Sequence, residues 1–226
     1  MKNILVTAGT TQVPIDRVRA LTNVFRGRTG TEIALYLAGQ SHNVTLVTSN
    51  PDLLAGRINQ LTRVLDYRTY DELFEIMKMA FYYHYHGSFD VVIHSAAVSD
   101  YKVAGVSVMD GAGNLAGLDS SGKVSSDHNE LFLRLVRTEK IIDLIRQPWG
   151  FGGYLVKFKL QVGITDSELL EIAEKSRITS SADMIVANCL EWAAQRAYVM
   201  TEGKTIDALR QELPQLIEQG MLEALG

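Results

Sequence analysis

KNILVTAG, residues Lys2 to Gly9, decides the fold. A short apolar run ending on glycine reads as a buried strand followed by a turn, because glycine enters backbone conformations that other residues avoid. Working outward, similar runs recur at Asn43–Thr48 (NVTLVT), Arg63–Tyr67, Asp90–Ser95 (DVVIHS), Tyr154–Leu160 and Asp183–Asn188 (DMIVAN). Stretches of helical period lie between them. Gly30–Ala38 carries Ile33 and Leu37 and stops at Gly39. Tyr70–Tyr85 sets Leu73, Ile76, Met77 and Ala80 on one face, and Asp166–Ser180 starts at a Thr165 or Asp166 cap. Arg196–Thr201 is expected as an edge strand. Leu209–Leu225 is expected as a last helix, with Pro214 in its first turn or at a kink.

Short strands separated by helices predict an α/β fold: a Rossmann-like, mostly parallel sheet with helices on both faces. Open sheets of this kind bind ligands at the C-terminal ends of their strands. Val103–Leu135 holds five glycines and breaks the pattern. It is expected as a flap or loop, followed by a strand at Glu130–Val136. Residues 1–226 are read as a single nucleotide-binding α/β domain with a flap insertion at about 103–130.

The chain has 226 residues, 46% hydrophobic and 21% charged, which is ordinary globular usage with enough length for a substantial core. A net charge of −4 without long runs of one sign argues against a nucleic-acid binder. No apolar stretch reaches the ~18 residues that a membrane span needs. A strand follows Met1-Lys2 directly, so no signal peptide is expected. Cys189 is the one cysteine, which excludes an intramolecular disulfide and fits a reducing cytoplasm.

Two glycine motifs lack their context. Gly117-Leu-Asp-Ser-Ser-Gly122-Lys123 has P-loop spacing, but Val124 stands where Ser or Thr would hold Mg²⁺, and a strand rather than a helix is expected next. Gly111-Ala-Gly113-Asn-Leu-Ala116 matches a dinucleotide fingerprint without a strand before it. The first strand ends in the usual place, but Ala8-Gly9-Thr10-Thr11 lacks the second and third glycines of an NAD site. His84 and His86 lack further ligands at metal spacing and read as solvated or packing residues. Cys189 has no evident base partner and reads as packed.

Three places follow strands and can carry chemistry. Gly9 to Gly30 gathers Arg17, Arg19, Arg26 and Arg28 beside Gly27 and Gly30 at a helix start, which suits a phosphate. Ser95-Ala96-Ala97-Val98-Ser99-Asp100-Tyr101 lets a ligand approach the backbone at the alanines. Asp100 either holds a polar ligand group or caps a turn. Asn188 either reads a nucleobase edge or ends a strand in a turn.

Thr7-Ala8-Gly9-Thr10-Thr11, Pro14-Ile15-Asp16, Val18-Arg19-Ala20-Leu21-Thr22-Asn23 and Gly27-Arg28-Thr29-Gly30 together resemble the opening of the phosphopantothenoylcysteine synthetases. Ala96-Ala97-Val98-Ser99-Asp100-Tyr101 is similar to that family's AAVxDY segment, and Gly122-Lys123-Val124-Ser125-Ser126 to its lysine-bearing flap. Phe158 and Ala187-Asn188 fall where the family has its phenylalanine and its Ala-Asn pair. The motifs keep their order along nearly the whole chain. Phe25-Arg26 stands where the family commonly has hydroxyl residues, and Cys189 where it has aspartate.

The resemblance implies a free-standing ligase of coenzyme A biosynthesis that joins 4′-phosphopantothenate to L-cysteine. The carboxylate would first be activated by CTP or ATP, with Mg²⁺, as an acyl-nucleotidylate with release of pyrophosphate. By resemblance, Asn23 and Lys123 are catalytic, and Gly9, Gly27, Gly30, Phe158 and Asn188 hold the nucleotide. Arg19, Asn23, Ala96, Ala97 and Asp100 hold phosphopantothenate, in a homodimer with shared sites. Fold analogy alone leaves two other readings: an NAD(P)- or flavin-binding protein, and a catalytically silent dimeric binding module.

Overall fold

A computed structural model describes residues 1–82 and 88–226. In chain order its elements are β1 (Asn3–Ala8), β2 (Gln12–Pro14), β3 (Ala20–Thr22), α1 (Arg28–Gly39), β4 (Asn43–Thr48), β5 (Arg63–Asp66), α2 (Tyr70–Phe81), β6 (Val91–His94) and β7 (Tyr101–Met109). There follow β8 (Leu115–Leu118), β9 (Phe132–Arg137), α3 (Ile141–Arg146), β10 (Tyr154–Gln161), α4 (Asp166–Thr179), β11 (Met184–Cys189), β12 (Arg196–Thr201), β13 (Lys204–Leu209) and α5 (Leu213–Leu225). The central sheet has eight strands in the order β5-β4-β1-β6-β10-β11-β12-β13. The first six are parallel and the last two antiparallel.

Successive strand residues point to opposite faces, so both faces of the central strands must be apolar. On one face Ile4, Val6 and Ala8 of β1 pack with Val44, Leu46, Val156 and Val186 under α1 and α5. On the other, Leu5, Val47, Val92 and Leu155 pack under α2 and α3, and Ile185 and Ala187 pack under α4. Capping boxes start α2 at Thr69 with Glu72 and α4 at Thr165 with Glu168.

Several expectations need correction. Arg196–Thr201 is not at the edge, because β13 pairs outside it after a turn at Gly203. Leu209 closes that strand and the last helix begins at Leu213, with Pro214 in its first turn. Within the expected flap, residues 101–137 form a three-stranded antiparallel sheet, β8-β7-β9, so two strands stand where a loop was expected. The β2–β3 hairpin and the short α3 gave no recognisable period. The expected helix at Tyr70–Tyr85 is seen to Phe81; its last part, with His84 and His86, lies outside the described residues. Cys189 closes β11 rather than following it and is 1% exposed, with burial pushing its thiol pKa up.

Candidate functional site

The sheet grows from β1 to β4 and β5 on one side and from β6 to β10 and β11 on the other. That reversal makes a crevice at the strand ends, the place where doubly wound sheets bind ligands. Gly9 ends β1 at φ +94° and Gly27 caps α1 at φ +84°. A methyl on Gly27 would lie 2.3 Å from the Gly9 nitrogen, and one on Gly30 would lie 2.3 Å from Ser95 Oγ and 2.8 Å from Ala8 Cβ. Helix α1 therefore starts backbone against backbone on β1. The glycine triplet of a dinucleotide fingerprint does this with adjacent residues; here residues 10–26 interrupt it, and the three glycines meet only in space. No side chain caps α1, so its first turn presents amide groups with partial positive charge at the crevice.

Ala97 forms a ridge across this crevice. Its N–H donates to Gly9 O at 2.8 Å, and its carbonyl accepts from Thr11 N at 3.4 Å and from Asn23 Nδ2 at 3.1 Å. On one side a groove of about 460 Å³ runs between α3 and α4; Ala96, Asp100, Phe158, Lys159 and Lys175 are among its lining residues. On the other a cleft of about 490 Å³ is lined by Asn23, Phe25, Arg26, Asn50 and Arg68 among others. The structure thus brings Asn23, Ala97 and Gly9 together and sets Ala96, Asp100 and Phe158 beside them. Asn188, Lys123 and Arg19 line neither space.

Buried bases in the groove escaped the sequence reading. Lys157, 6% exposed, donates from Nζ to Ser176 O at 3.0 Å and to Ser180 Oγ at 2.5 Å, and Ser180 Oγ donates to Asp143 Oδ1 at 2.6 Å. Burial pulls its pKa down to about 8; Asp143 opposes that shift, and Lys159 and Lys140 add to it. His94, 7% exposed, has Nδ1 3.0 Å from Thr7 Oγ1. Thr7 Oγ1 also accepts from Ala96 N at 3.2 Å, and with one proton and a second lone pair it pairs with either tautomer of His94. Burial, then the Lys157 charge, holds the His94 pKa down to about 4. The available signal was lysine at 157 and 159 inside the apolar strand YLVKFKL.

Arg19 is engaged with partners within its own chain. Its guanidinium is held by Asp16, through Nε at 3.0 Å and through Nη2, and Nη2 also donates to Val124 O at 2.8 Å. Asp16 accepts further from the amides of Val18 and Arg19, both at 2.8 Å, and of Val124 at 3.1 Å. The Arg19 side chain first, then the Val18 amide, holds the Asp16 carboxyl well below the usual carboxylate range. Arg17 N donates to Gly122 O at 3.1 Å. These bonds clamp the strap 122–124, with exposed Lys123 at its middle, to the turn after β2. Asp16→Asn is expected to speed amide exchange at Val124 about tenfold while leaving Val92 in the central sheet unchanged. Equal protection at Val124 in both proteins would show that the clamp holds nothing.

An open, mostly parallel sheet with a glycine-built helix start and two clefts at its switch point defines a doubly wound α/β protein with a ligand crevice at its strand ends. The chain belongs to the family of the DNA/pantothenate metabolism flavoprotein C-terminal domain, whose profile matches residues 1–213. It is 30% identical over 227 residues to the coenzyme A biosynthesis bifunctional protein CoaBC of Thermococcus kodakarensis, covering 99% of this chain and 50% of that one. It spans at most about half the length of the CoaBC relatives it matches. The crystal structure of the DNA/pantothenate metabolism flavoprotein from Streptococcus pneumoniae superposes with a TM-score of 0.84 at 28% identity, over 100% of both chains. A mutant Cab2 in complex with phosphopantothenate-cysteine shares the fold, with a TM-score of 0.68 at 16% identity over 97% of this chain and 86% of that one. Among the described residues no helix is long and apolar enough to cross a membrane.

Proposed function

We propose that the chain is a phosphopantothenate–cysteine ligase. The observation that carries this reading is the Asn23–Ala97–Gly9 ridge, with lysines lining the space on one side of it and arginines the space on the other. Two anions must meet in this reaction, a carboxylate and a nucleoside triphosphate, and their repulsion has to be offset by fixed positive charge. The nucleotide would lie along Gly9, Gly27 and Gly30 towards Phe158, with Asn188 at the end of β11 as the residue for its base. The carboxylate oxygen attacks the α-phosphorus and pyrophosphate leaves. The cysteine amine then attacks the acyl carbon, and the nucleoside monophosphate leaves with the acyl oxygen.

Asn23 would orient the acyl group for that attack. Its Nδ2 is already fixed on the Ala97 carbonyl, so the amide is held without a ligand. Lys123, on the clamped strap, would supply charge to the phosphates. Mg²⁺ would travel on the nucleotide's own oxygens and screen them. Among the described residues no three histidines, cysteines, aspartates or glutamates group to hold a metal, so no step is assigned to it. Val18, Val24, Leu21 and Leu135 leave apolar surface exposed around the ridge and the inserted sheet. That surface supports a homodimer in which Arg19 sits near the partner's site.

The test is pyrophosphate release from the purified chain with phosphopantothenate, cysteine and Mg²⁺, with CTP and ATP in parallel. Release that requires phosphopantothenate is expected with one of the two. Lys123→Gln is expected to slow activation about tenfold at saturating nucleotide. Release that ignores phosphopantothenate would overturn the reading.

A further inference from the structure

Of the residues given roles in the proposed ligase, Asn23 lines the cleft on the β4 side of the ridge. Its lining includes Asn23, Phe25, Arg26, Asn50 and Arg68, with two arginines and no carboxylate. Neither the Arg26 nor the Arg68 guanidinium makes an ion pair or a hydrogen bond among the described residues. Glu72 is the acid whose charge Arg68 meets, and its carboxylate is turned to backbone, accepting from Arg68 N at 2.6 Å and Thr69 N at 2.9 Å. Asn50 donates from Nδ2 to Arg26 O at 3.4 Å, which ties the loop carrying Arg26 to the end of β4. The groove on the far side of the ridge mixes four lysines with Asp100, Glu139 and Asp143. The β4-side cleft is therefore the space of unmixed sign, and its forked donors match a phosphate better than ammonium groups do.

We propose that Arg26 and Arg68 form a subsite for a phosphate monoester, and that this is the terminal phosphate of phosphopantothenate. The assignment rests on the ligase reading and deepens it. A substrate with a carboxylate at one end and a phosphate at the other can lay its carboxylate against Asn23 on the ridge. The nucleotide then meets it from the groove side, and the phosphate end extends into the β4-side cleft. Arg68 follows β5, and a flanking position there is reached only because β5 lies beside β4 at the sheet edge.

The experiment compares wild type, Arg26→Ala, Arg68→Ala and Arg68→Lys with phosphopantothenate and with unphosphorylated pantothenate. Each alanine variant is expected to raise KM for phosphopantothenate roughly tenfold, with nucleotide KM within about twofold and pantothenate turnover unchanged. The preference for the phosphorylated substrate then shrinks by the same factor. Arg68→Lys is expected to recover only part of it. An unchanged KM for phosphopantothenate overturns the subsite, and a rise in nucleotide KM instead means that the arginines hold a nucleotide phosphate. If wild type releases no pyrophosphate, the ligase reading has failed separately. Calorimetric titration of the same proteins with phosphopantothenate then decides the subsite: affinity lost with the arginines supports it, and affinity equal in all variants or absent in wild type overturns it.

Discussion

Gly27→Ala is expected to destabilise the protein by about 3 kcal/mol and to abolish tight nucleotide binding. At φ +84° an alanine Cβ meets its own backbone, which costs about 1–2 kcal/mol. The new methyl would also lie 2.3 Å from the nitrogen and 2.6 Å from the Cα of Gly9. Those atoms belong to the end of β1, at the sheet centre, and cannot rotate aside as a side chain tip can. Helix α1 must move off the strand, which adds about 1–3 kcal/mol of packing loss. Its first-turn amides then no longer face the crevice. Gly39→Ala, at the other end of the same helix, is the control. Nothing lies within 4 Å of its added methyl, so it is expected to be neutral or slightly stabilising. Denaturant midpoints of the two variants check this, and equal midpoints would mean that the β1–α1 contact is slack.

The same contact explains what was legible in the sequence. Asn43–Thr48 and Tyr154–Leu160 declared themselves because a strand buried on both faces is apolar throughout, whatever it pairs with. Helix α4 declared itself through Thr165 and Glu168, a local capping signal. The inserted sheet did not, because most of β7 and β8 is exposed, so burial imposes little alternation on either strand. By resemblance Gly9, Gly27 and Gly30 are each expected, one by one, to line a nucleotide. Their joint role was hidden by the intervening hairpin, since close approach between residues distant in sequence leaves no local pattern. Asp16 went unread as a site residue for the same reason. Its partner Val124 lies beyond two sheets in the chain order, and an aspartate two residues after Pro14 looks like any turn residue. The family resemblance supplied Asn23, Ala97 and Phe158. It supplied none of Lys157, His94, Asn50 or Arg68, which had no counterpart in the motifs quoted.

Two of those unread residues give the protein an expected pH signature, because each is a base buried in the fold and free in the unfolded chain. His94 binds its proton at about pH 4 when folded, against an ordinary value of 6.5. Between those values the unfolded chain holds a proton that the folded one lacks, so stability rises with pH across the window and is lost as pH falls through it. A shift of this size corresponds to about 3 kcal/mol. Lys157 does the same between about pH 8 and its ordinary 10.5, so stability is expected to rise again towards pH 10. Most folded proteins lose stability there, which makes the alkaline rise the sharper test. Lys157→Met should flatten it: the Ser180 hydroxyl keeps Asp143 as acceptor, and Ser176 O keeps the Ser180 amide at 3.3 Å, so no buried group is orphaned. His94→Gln should flatten the slope most clearly between about pH 5.5 and 6.5, above the range where free carboxylates titrate, while leaving a hydrogen-bonding partner for Thr7. Urea unfolding of the three proteins from pH 4.5 to 10 measures both limbs. A wild-type curve that falls from pH 8 to 10, parallel to that of Lys157→Met, would mean that Lys157 is solvated in the folded protein and that the groove floor is wet.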